Sequence, residues 1–214
     1  TPQFWEIMKI TASDYTRVAS LLGVETAVVK AVAEVESGGK GGFLSDGRPV
    51  ILFEGHVFWQ QLRQQGISPE AYAPGNENIL YPKWDRRHYR GGTAEYTRLE
   101  RAVRIHEEAA LSAASWGMFQ VMGFNASLCG YTSAATFAEA MHTSEGVQLE
   151  AFVRFILARG LDCCLRLHDW AAFARAYNGP DYALNRYAER LAAAYSRHHE
   201  VKIQTGKGSS DNGT

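Results

Sequence analysis

The stretch from Ala31 to Trp59, AVAEVESGGKGGFLSDGRPVILFEGHVFW, constrains the fold most, because it passes from a helical to a glycine-rich to an extended pattern. Valines recur close to the 3.6-residue period of a helix, at Val28, Val29, Val32 and Val35. This spacing predicts an amphipathic helix over 25–37. Gly38 and Gly39 end it, as glycines commonly do. One glutamate, Glu36, therefore lies in the last turn of the helix.

The position of Glu36 favours a protonated carboxyl group. The helix macrodipole is negative at the C-terminus and disfavours a carboxylate there, which raises its pKa. A carboxylic acid that keeps its proton near neutral pH is what cleavage of a glycosidic bond requires of a general acid. A solvated helix-end glutamate is the alternative for this segment taken alone.

Residues 43–59 form the segment with the clearest strand character. Asp46-Gly47 is a hairpin-turn signal, and the residues that favour a strand follow it, namely Val50, Ile51, Leu52 and Phe53. If the strand continues through His56, the side chains of Glu54 and His56 share one face. The segment thus predicts a small β-hairpin that carries a second acidic side chain.

Two carboxylates compete for the role of partner to Glu36. A strand would hold Glu54 firmly, whereas Asp46 is the residue type that a turn commonly uses. The alternative for Glu54 is an ion pair with a nearby arginine such as Arg48. We favour Glu54 as the second functional carboxylate.

The chain of 214 residues, with 46% hydrophobic residues, is long enough to bury one substantial core. We expect one domain over 1–204 and a disordered tail or linker remnant over 205–214, where TGKGSSDNGT has no apolar anchor. The net charge of -1 gives no reason to expect nucleic-acid binding, and no apolar run approaches the ~20 residues of a membrane span. The three cysteines have neither disulfide-framework nor metal-ligand spacing, so no metal or cofactor is expected.

The rest of the chain is predicted to be mostly helical, with two helices joined near Gly23 and further helices over 93–112, 145–159, 161–167, 169–177 and 182–197. Residues 60–92 instead combine repeated chain breaks with arginines and aromatic residues, which include Tyr72, Tyr81, Trp84 and Tyr89. This mixture suits either stacking on sugar rings or an irregular surface loop packed by its own aromatics.

Two later motifs follow the helix that ends in Glu-Ser-Gly, ASWGMFQVMG at 114–123 and ARAYNGP at 174–180. In this order and spacing, the three motifs resemble the lysozyme-like superfamily, which includes goose-type lysozymes and soluble lytic transglycosylases. The fuller strings GRPVILFEGHVF, EYTRLERA and ASWGMFQVMGFN are most similar to one branch, the N-acetylmuramidase domain of phage endolysins. The resemblance covers residues 10–195.

The resemblance implies a mainly α, lysozyme-like helical domain with one small β-hairpin beside an active-site cleft. In that fold Glu36 is the general acid, Gln120 lines the cleft beside it, and Tyr177 forms hydrogen bonds near it. Gln120 is also the odd polar residue of an apolar cluster, where a buried amide would need partners. With Glu36 and Glu54 as catalytic residues, the candidates for substrate binding are Ser37, His56, Ser115, Gly117, Met118, Gln120, Tyr177 and Asn178.

The resemblance further implies an enzyme that cleaves the β-1,4 bond between N-acetylmuramic acid and N-acetylglucosamine. A second carboxylate roughly 6.5–9.5 Å from Glu36 predicts hydrolysis with inversion. Its absence predicts the 1,6-anhydro product of a lytic transglycosylase. The motifs are also compatible with a chitinase and with a non-catalytic cell-wall-binding module of the same fold.

Bacterial peptidoglycan is therefore the expected partner, and a monomer is the default. The first residues, TPQFWEIMKI, lack a basic region followed by an apolar core, so no signal peptide is expected. Such a protein would be made in the host cytoplasm and would reach the wall, in the periplasm, through a separate pore or secretion system.

Overall fold

The structure is a computed structural model that describes residues 3–183 and 186–207. These residues form two compact units. The first comprises 3–9 and 41–155, and the second comprises 10–40 together with 156–183 and 186–207. That the two units make up one domain over 1–204 stays a prediction.

Helices dominate both units, as predicted. In chain order they are α1 (Phe4–Met8), α2 (Ala12–Leu22), α3 (Thr26–Ser37), α4 (Gly55–Gln64), α5 (Ala94–Ile105), α6 (Glu107–Ser112), α7 (Ala134–Met141), α8 (Glu145–Ala158), α9 (Asp162–Arg166), α10 (Trp170–Asn178) and α11 (Tyr187–Lys207). Short 3-10 turns occupy Pro69–Ala71, Arg86–His88, Gly123–Asn125 and Pro180–Ala183. The strands are β1 (Ile51–Phe53), β2 (Ala114–Trp116) and β3 (Val121–Met122).

The three strands form one antiparallel sheet in the first unit, in the order β1-β2-β3. Phe53 of β1 lies opposite Ala114, and Ser115 of β2 lies opposite Met122 of β3. The tight hairpin of the sheet is therefore β2–β3. The predicted turn at Asp46-Gly47 exists, but it is flanked only by an isolated bridge between Phe43 and Pro49.

The prediction of a strand through His56 is wrong. β1 ends at Phe53, and Glu54 becomes the residue that precedes helix α4. The apolar residues of α4 explain the change, because Phe58 and Leu62 are spaced by one helical turn and are completely buried. They join a core of large buried side chains in this unit, which includes Phe53, Ile79, Leu80, Trp116, Phe137, Met141 and Phe152.

The predicted single helix over 93–112 is also wrong, because it breaks at His106. This residue has an extended backbone between α5 and α6, with φ -161°. Its Nδ1 accepts a hydrogen bond from the Ala109 amide at 3.0 Å and so caps α6. A histidine in the capping role gives little signal in sequence, since serine, threonine, aspartate and asparagine are the usual caps.

In the second unit α3 packs against α2 and α11, and α10 packs against α11. Its buried apolar side chains include Val18, Leu22, Val28, Val32, Phe173 and Leu191. Gly23 joins α2 to α3 in the left-handed conformation, with φ 69°. Thr11 caps α2 in a capping box with Asp14.

Helix α11 continues to Lys207 and so includes the first three residues of the tail predicted over 205–214. The rest of the predicted tail, 208–214, lies outside the described residues. No helix over 3–183 and 186–207 has both the length and the apolar character needed to cross a membrane.

Candidate active site

Glu36 is the second-last residue of α3, as the sequence predicts. Gly38 ends the helix in the left-handed conformation, with φ 61°, where a residue with a side chain would be strained. The Glu36 side chain is half-buried, and its Oε1 atom is fully buried. Within the described ranges Oε1 has no hydrogen-bond partner. Negative charge on this oxygen would therefore have neither water nor a hydrogen-bond donor to stabilise it.

Burial raises the pKa of Glu36 from its ordinary value of 4.5 to about 7, because the charged form loses its hydration. The Asn178 amide and the positive charge of Arg190 act in the opposite direction. The amide carries little weight, since Asn178 Nδ2 forms no hydrogen bond to any described residue. The raised pKa agrees with the sequence reasoning, but burial rather than the helix macrodipole is its main cause.

Tyr177 and Asn178 end helix α10, and Asp169 caps the start of that helix by accepting a hydrogen bond from Ala172 N at 3.1 Å. The Tyr177 ring stacks on the buried ring of Phe173, with centroids 5.8 Å apart. Burial, followed by the charge of Glu36, raises the pKa of the Tyr177 hydroxyl. The second unit thus brings Tyr177 and Asn178 within electrostatic reach of Glu36.

The Ser37 hydroxyl serves the end of helix α3. It donates to the Glu34 carbonyl at 3.3 Å and accepts from the Gly39 amide at 3.2 Å. Its only proton is therefore used within the helix end. A contact between Ser37 and substrate stays a prediction.

Glu54 lies in the first unit, between β1 and α4. Its backbone amide donates to the Ala113 carbonyl at 2.9 Å, which continues the pairing of β1 with β2 by one residue. The side chain does not cap α4. Glu54 is therefore held by its backbone, and its carboxyl group is available for other partners.

The carboxyl group of Glu54 has two neighbours. The Tyr89 hydroxyl donates to Oε2 at 2.5 Å, and His56 Nδ1 lies 3.5 Å from the same oxygen. The Glu54 and His56 side chains are only 16% and 22% exposed. Glu54 and His56 are therefore adjacent, as predicted, although a helix rather than a strand brings them together.

The alternative in which Glu54 pairs with Arg48 does not hold. Arg48 instead lies 2.7 Å from Asp46 Oδ2, and its backbone amide donates to Asp46 Oδ1 at 3.0 Å. The guanidinium lowers the pKa of Asp46. Asp46 is thus the residue of the turn that binds the arginine.

A buried ion pair stabilises the backbone at Phe53, the residue before Glu54. Arg98 Nη1 bonds both carboxylate oxygens of Glu95, at 3.0 and 2.9 Å, and the two side chains are 2% and 0% exposed. The same nitrogen donates to the Phe53 carbonyl at 2.9 Å, while Nη2 donates to the Asn78 carbonyl at 2.9 Å. The pair therefore fixes β1 and the 60–92 segment together beside Glu54.

We expect Glu95→Ala to lower the free energy of unfolding by about 3–5 kcal/mol, because it leaves the Arg98 charge buried without a counter-charge. Urea denaturation measures this loss. Glu70→Ala is the matched control, since it removes an exposed pair with Arg63, and it should cost about 1 kcal/mol or less. Equal losses for the two variants would contradict the role assigned to the buried pair.

The motif at 114–123 forms the β2–β3 hairpin. The prediction that the Gln120 amide in this motif is buried is wrong. Gln120 is exposed and has a left-handed backbone, with φ 50°. Its Nε2 donates to the Val50 and Gly117 carbonyls at 3.2 and 2.9 Å, and its Oε1 accepts from the Ser115 hydroxyl at 2.8 Å. The polar partners that Gln120 needs lie within its own hairpin and in the residue before β1.

A buried glutamine, Gln148 of α8, supports the same hairpin. Its Oε1 accepts from the Met118 amide at 2.8 Å, and its Nε2 donates to the Met141 carbonyl at 3.0 Å. A Cβ atom at Gly117 would lie 2.6 Å from this side chain, so only glycine fits there. Gly117 and Met118 thus shape the hairpin through their backbone.

Sequence reasoning missed Tyr89 as a partner of Glu54, the Glu95–Arg98 pair and Gln148. A signal existed for two of them. Gln148 is spaced by one helical turn from the buried Phe152, and Glu95 is spaced likewise from the buried Leu99. A polar residue within an apolar stripe indicates a buried polar group that needs partners. Tyr89 lies in an irregular segment and had no such signal.

Throughout 3–183 and 186–207, no three histidine, cysteine, aspartate or glutamate side chains lie together as potential ligands of a metal ion. Among the same residues Cys129, Cys163 and Cys164 are free thiols.

The helical architecture, the small antiparallel sheet and the protonatable glutamate at a helix end define a lysozyme-like protein. The family model of N-acetylmuramidases matches residues 25–199, and the chain belongs to this family. Among solved structures it is similar to the crystal structure of Burkholderia AP3 phage endolysin, with 42% identity and a TM-score of 0.83 over 94% of this chain and 78% of that chain. None of the curated proteins matches the chain.

These comparisons confirm the resemblance and the fold class that the motifs predict. Membership of the family supports the breakdown of peptidoglycan by a muramidase activity, with peptidoglycan as the substrate.

Proposed function

We propose that the protein hydrolyses the β-1,4 bond between N-acetylmuramic acid and N-acetylglucosamine, with Glu36 as the general acid. The observation that carries this proposal is the buried carboxyl group of Glu36, whose pKa of about 7 leaves much of it protonated at neutral pH. A general acid works best when its pKa lies near the working pH.

In the proposed reaction Glu36 donates its proton to the oxygen that bridges the two sugars. The bond from the anomeric carbon of N-acetylmuramic acid to that oxygen breaks, and positive charge develops on the ring. Glu54 accepts a proton from a water molecule, whose oxygen forms the new bond at the anomeric carbon. The product is a reducing sugar of inverted configuration, and the proton on Glu54 later returns to Glu36 through solvent.

The surroundings of the two carboxylates support Glu54, rather than Asp46, as the base. Asp46 is bound by the guanidinium and the backbone amide of Arg48. Glu54 meets no guanidinium or ammonium group among the described residues, and its strongest contact is a neutral tyrosine hydroxyl. A carboxylate that is not bound to a cation can instead accept a hydrogen bond from a water molecule.

Mass spectrometry of digested peptidoglycan tests the proposal. We expect hydrolytic fragments that end in a reducing N-acetylmuramic acid. Fragments lighter by one water would instead be the 1,6-anhydro product of a lytic transglycosylase and would contradict hydrolysis. Equal cleavage of chitin in a parallel digest would contradict the assigned substrate.

The pKa of Glu36 predicts how kcat/KM declines as the pH rises. Since the acid must be protonated and its pKa is about 7, kcat/KM should fall with a midpoint near pH 7. Arg190→Gln removes a cation that favours the carboxylate, so it should move this midpoint to higher pH. A soluble glycan fragment serves as substrate for the profiles.

The control for this shift is Arg197→Gln. The Arg197 guanidinium binds Glu34, at 3.0 and 2.6 Å, and does not act on the Glu36 pKa. The midpoint should therefore stay in place. A midpoint near pH 4.5 in the parent protein would exclude Glu36 as the acid.

The biological setting proposed is that of a phage endolysin, supported by the likeness to the Burkholderia AP3 phage protein. We propose that the chain acts as a monomer on the bacterial cell wall, after synthesis in the host cytoplasm and release by a separate pore or secretion system. A lysis assay with and without permeabilised outer membranes tests the need for such delivery. Full lysis of intact cells by external protein would contradict it.

A further inference from the structure

Trp84 presents a large apolar ring to solvent close to Glu54. Its exposed fraction is 61%, the highest among the aromatic side chains described in the first unit. It lies in the irregular segment between α4 and α5, for which the sequence leaves two interpretations, sugar stacking or self-packing. Such high exposure argues against self-packing as the reason for this ring.

A hydrogen-bond chain links Trp84 to Glu54, and its direction is determined by chemistry. The indole Nε1–H can only donate, and it donates to the Tyr89 hydroxyl oxygen at 2.9 Å. The proton of Tyr89 is then free for Glu54 Oε2, which accepts it at 2.5 Å. The chain therefore fixes the position of this Glu54 oxygen through the Tyr89 hydroxyl.

The surroundings hold the segment in place. Asp85, next to Trp84, accepts hydrogen bonds from the Arg87 amide at 3.0 Å and from the Arg87 guanidinium. Tyr81 stacks on His88 with ring centroids 4.5 Å apart, and its hydroxyl accepts from the Gly55 amide at 3.3 Å. The Trp84 ring is thus a supported surface and not the end of a loose loop.

We propose that Trp84 is the stacking platform for one N-acetylhexosamine ring of the glycan chain, beside the residue that activates water. Pyranose rings present an apolar face of C–H groups, which packs on an aromatic plane. The same indole orients Tyr89. Sugar binding and the alignment of Glu54 therefore both depend on Trp84. Within the hydrogen-bond chain from Trp84 to Glu54, Tyr89 is the residue that positions the Glu54 carboxyl group. The inference rests on the proposed function, because it assigns a sugar subsite to the same reaction.

Three variants separate the two roles of Trp84. Trp84→Ala removes the platform and the N–H group, and Trp84→Phe keeps an aromatic plane but removes the N–H group. Tyr89→Phe removes only the hydroxyl group that donates a hydrogen bond to Glu54. Phe124→Ala is the matched control, since Phe124 is 48% exposed in the same unit and has no hydrogen-bonded link to Glu54.

Binding is measured first, by calorimetry in a Glu36→Gln background, with an octasaccharide of alternating N-acetylglucosamine and N-acetylmuramic acid. We expect Trp84→Ala to raise Kd on the order of tenfold, while Trp84→Phe, Tyr89→Phe and Phe124→Ala leave it nearly unchanged. Turnover is measured next, in the active protein. Trp84→Phe and Tyr89→Phe should lower kcat by about two- to tenfold with little change in KM, as expected for one hydrogen bond.

Unchanged binding and turnover in Trp84→Ala would overturn the platform and leave the proposed function intact. An equal loss of binding in Phe124→Ala would also overturn it, because any exposed aromatic would then suffice. Failure of the parent protein to bind the octasaccharide or to cleave peptidoglycan would instead contradict the proposed function itself.

Discussion

Glu36→Gln should reduce the rate of peptidoglycan cleavage by about 10²–10⁴-fold, the usual contribution of a general acid. The amide keeps the size of the side chain but has no proton to donate to the bridging oxygen. Release of reducing ends from purified peptidoglycan measures the rate. Glu34→Gln is the matched control, because Glu34 lies on the same helix and binds Arg197 at the surface. It should retain activity within a few-fold of the parent, and comparable losses in both variants would remove the special role of Glu36.

Glu36→Gln should lower activity but raise stability at neutral pH. The measurement of its unfolding also shows that the inactive variant is folded. The pKa of Glu36 is about 7 in the folded protein, above the ordinary value of 4.5 expected after unfolding. As pH rises through this window, the unfolded chain loses its proton before the folded protein does, so the parent loses stability. Gln does not titrate. Relative to the parent, Glu36→Gln should therefore gain stability from pH 4 to pH 8, as thermal unfolding at both pH values measures.

Glu54→Gln should lower kcat by about 10²–10⁴-fold with little change in KM, because a general base acts in the transition state and not in binding. Initial rates on soluble glycan fragments separate kcat from KM. Asp46→Asn is the control and should retain most of the activity, since Asp46 already binds Arg48. If Asp46→Asn were inactive and Glu54→Gln active, the two carboxylates would have to exchange roles.

The stereochemistry of the product tests the role of Glu54 independently of mutation. A base that activates water gives an inverted anomer as the first product, which NMR detects before mutarotation. A retained anomer would indicate a covalent intermediate instead, and Glu54 would then be a nucleophile.

The sequence by itself was sufficient to predict the features that depend on neighbours along the chain. The helix end at Gly38 follows from valine spacing and from the left-handed conformation that glycine adopts readily. The position of Glu36 in the last turn, the start of α10 next to Asp169 and the three motifs that carry the family resemblance are equally local. Each depends on a few consecutive residues.

Only the tertiary structure decided which partners the polar side chains have. Glu54 meets Tyr89 across 35 positions of sequence, and the Arg98 guanidinium reaches the Phe53 carbonyl across 45. Helical and strand periods say which face of an element is buried, but not which distant group lies against it. For the same reason burial, and not the helix dipole, became the main cause of the raised pKa of Glu36. Desolvation depends on everything that packs around a carboxyl group, and most of that is remote in sequence.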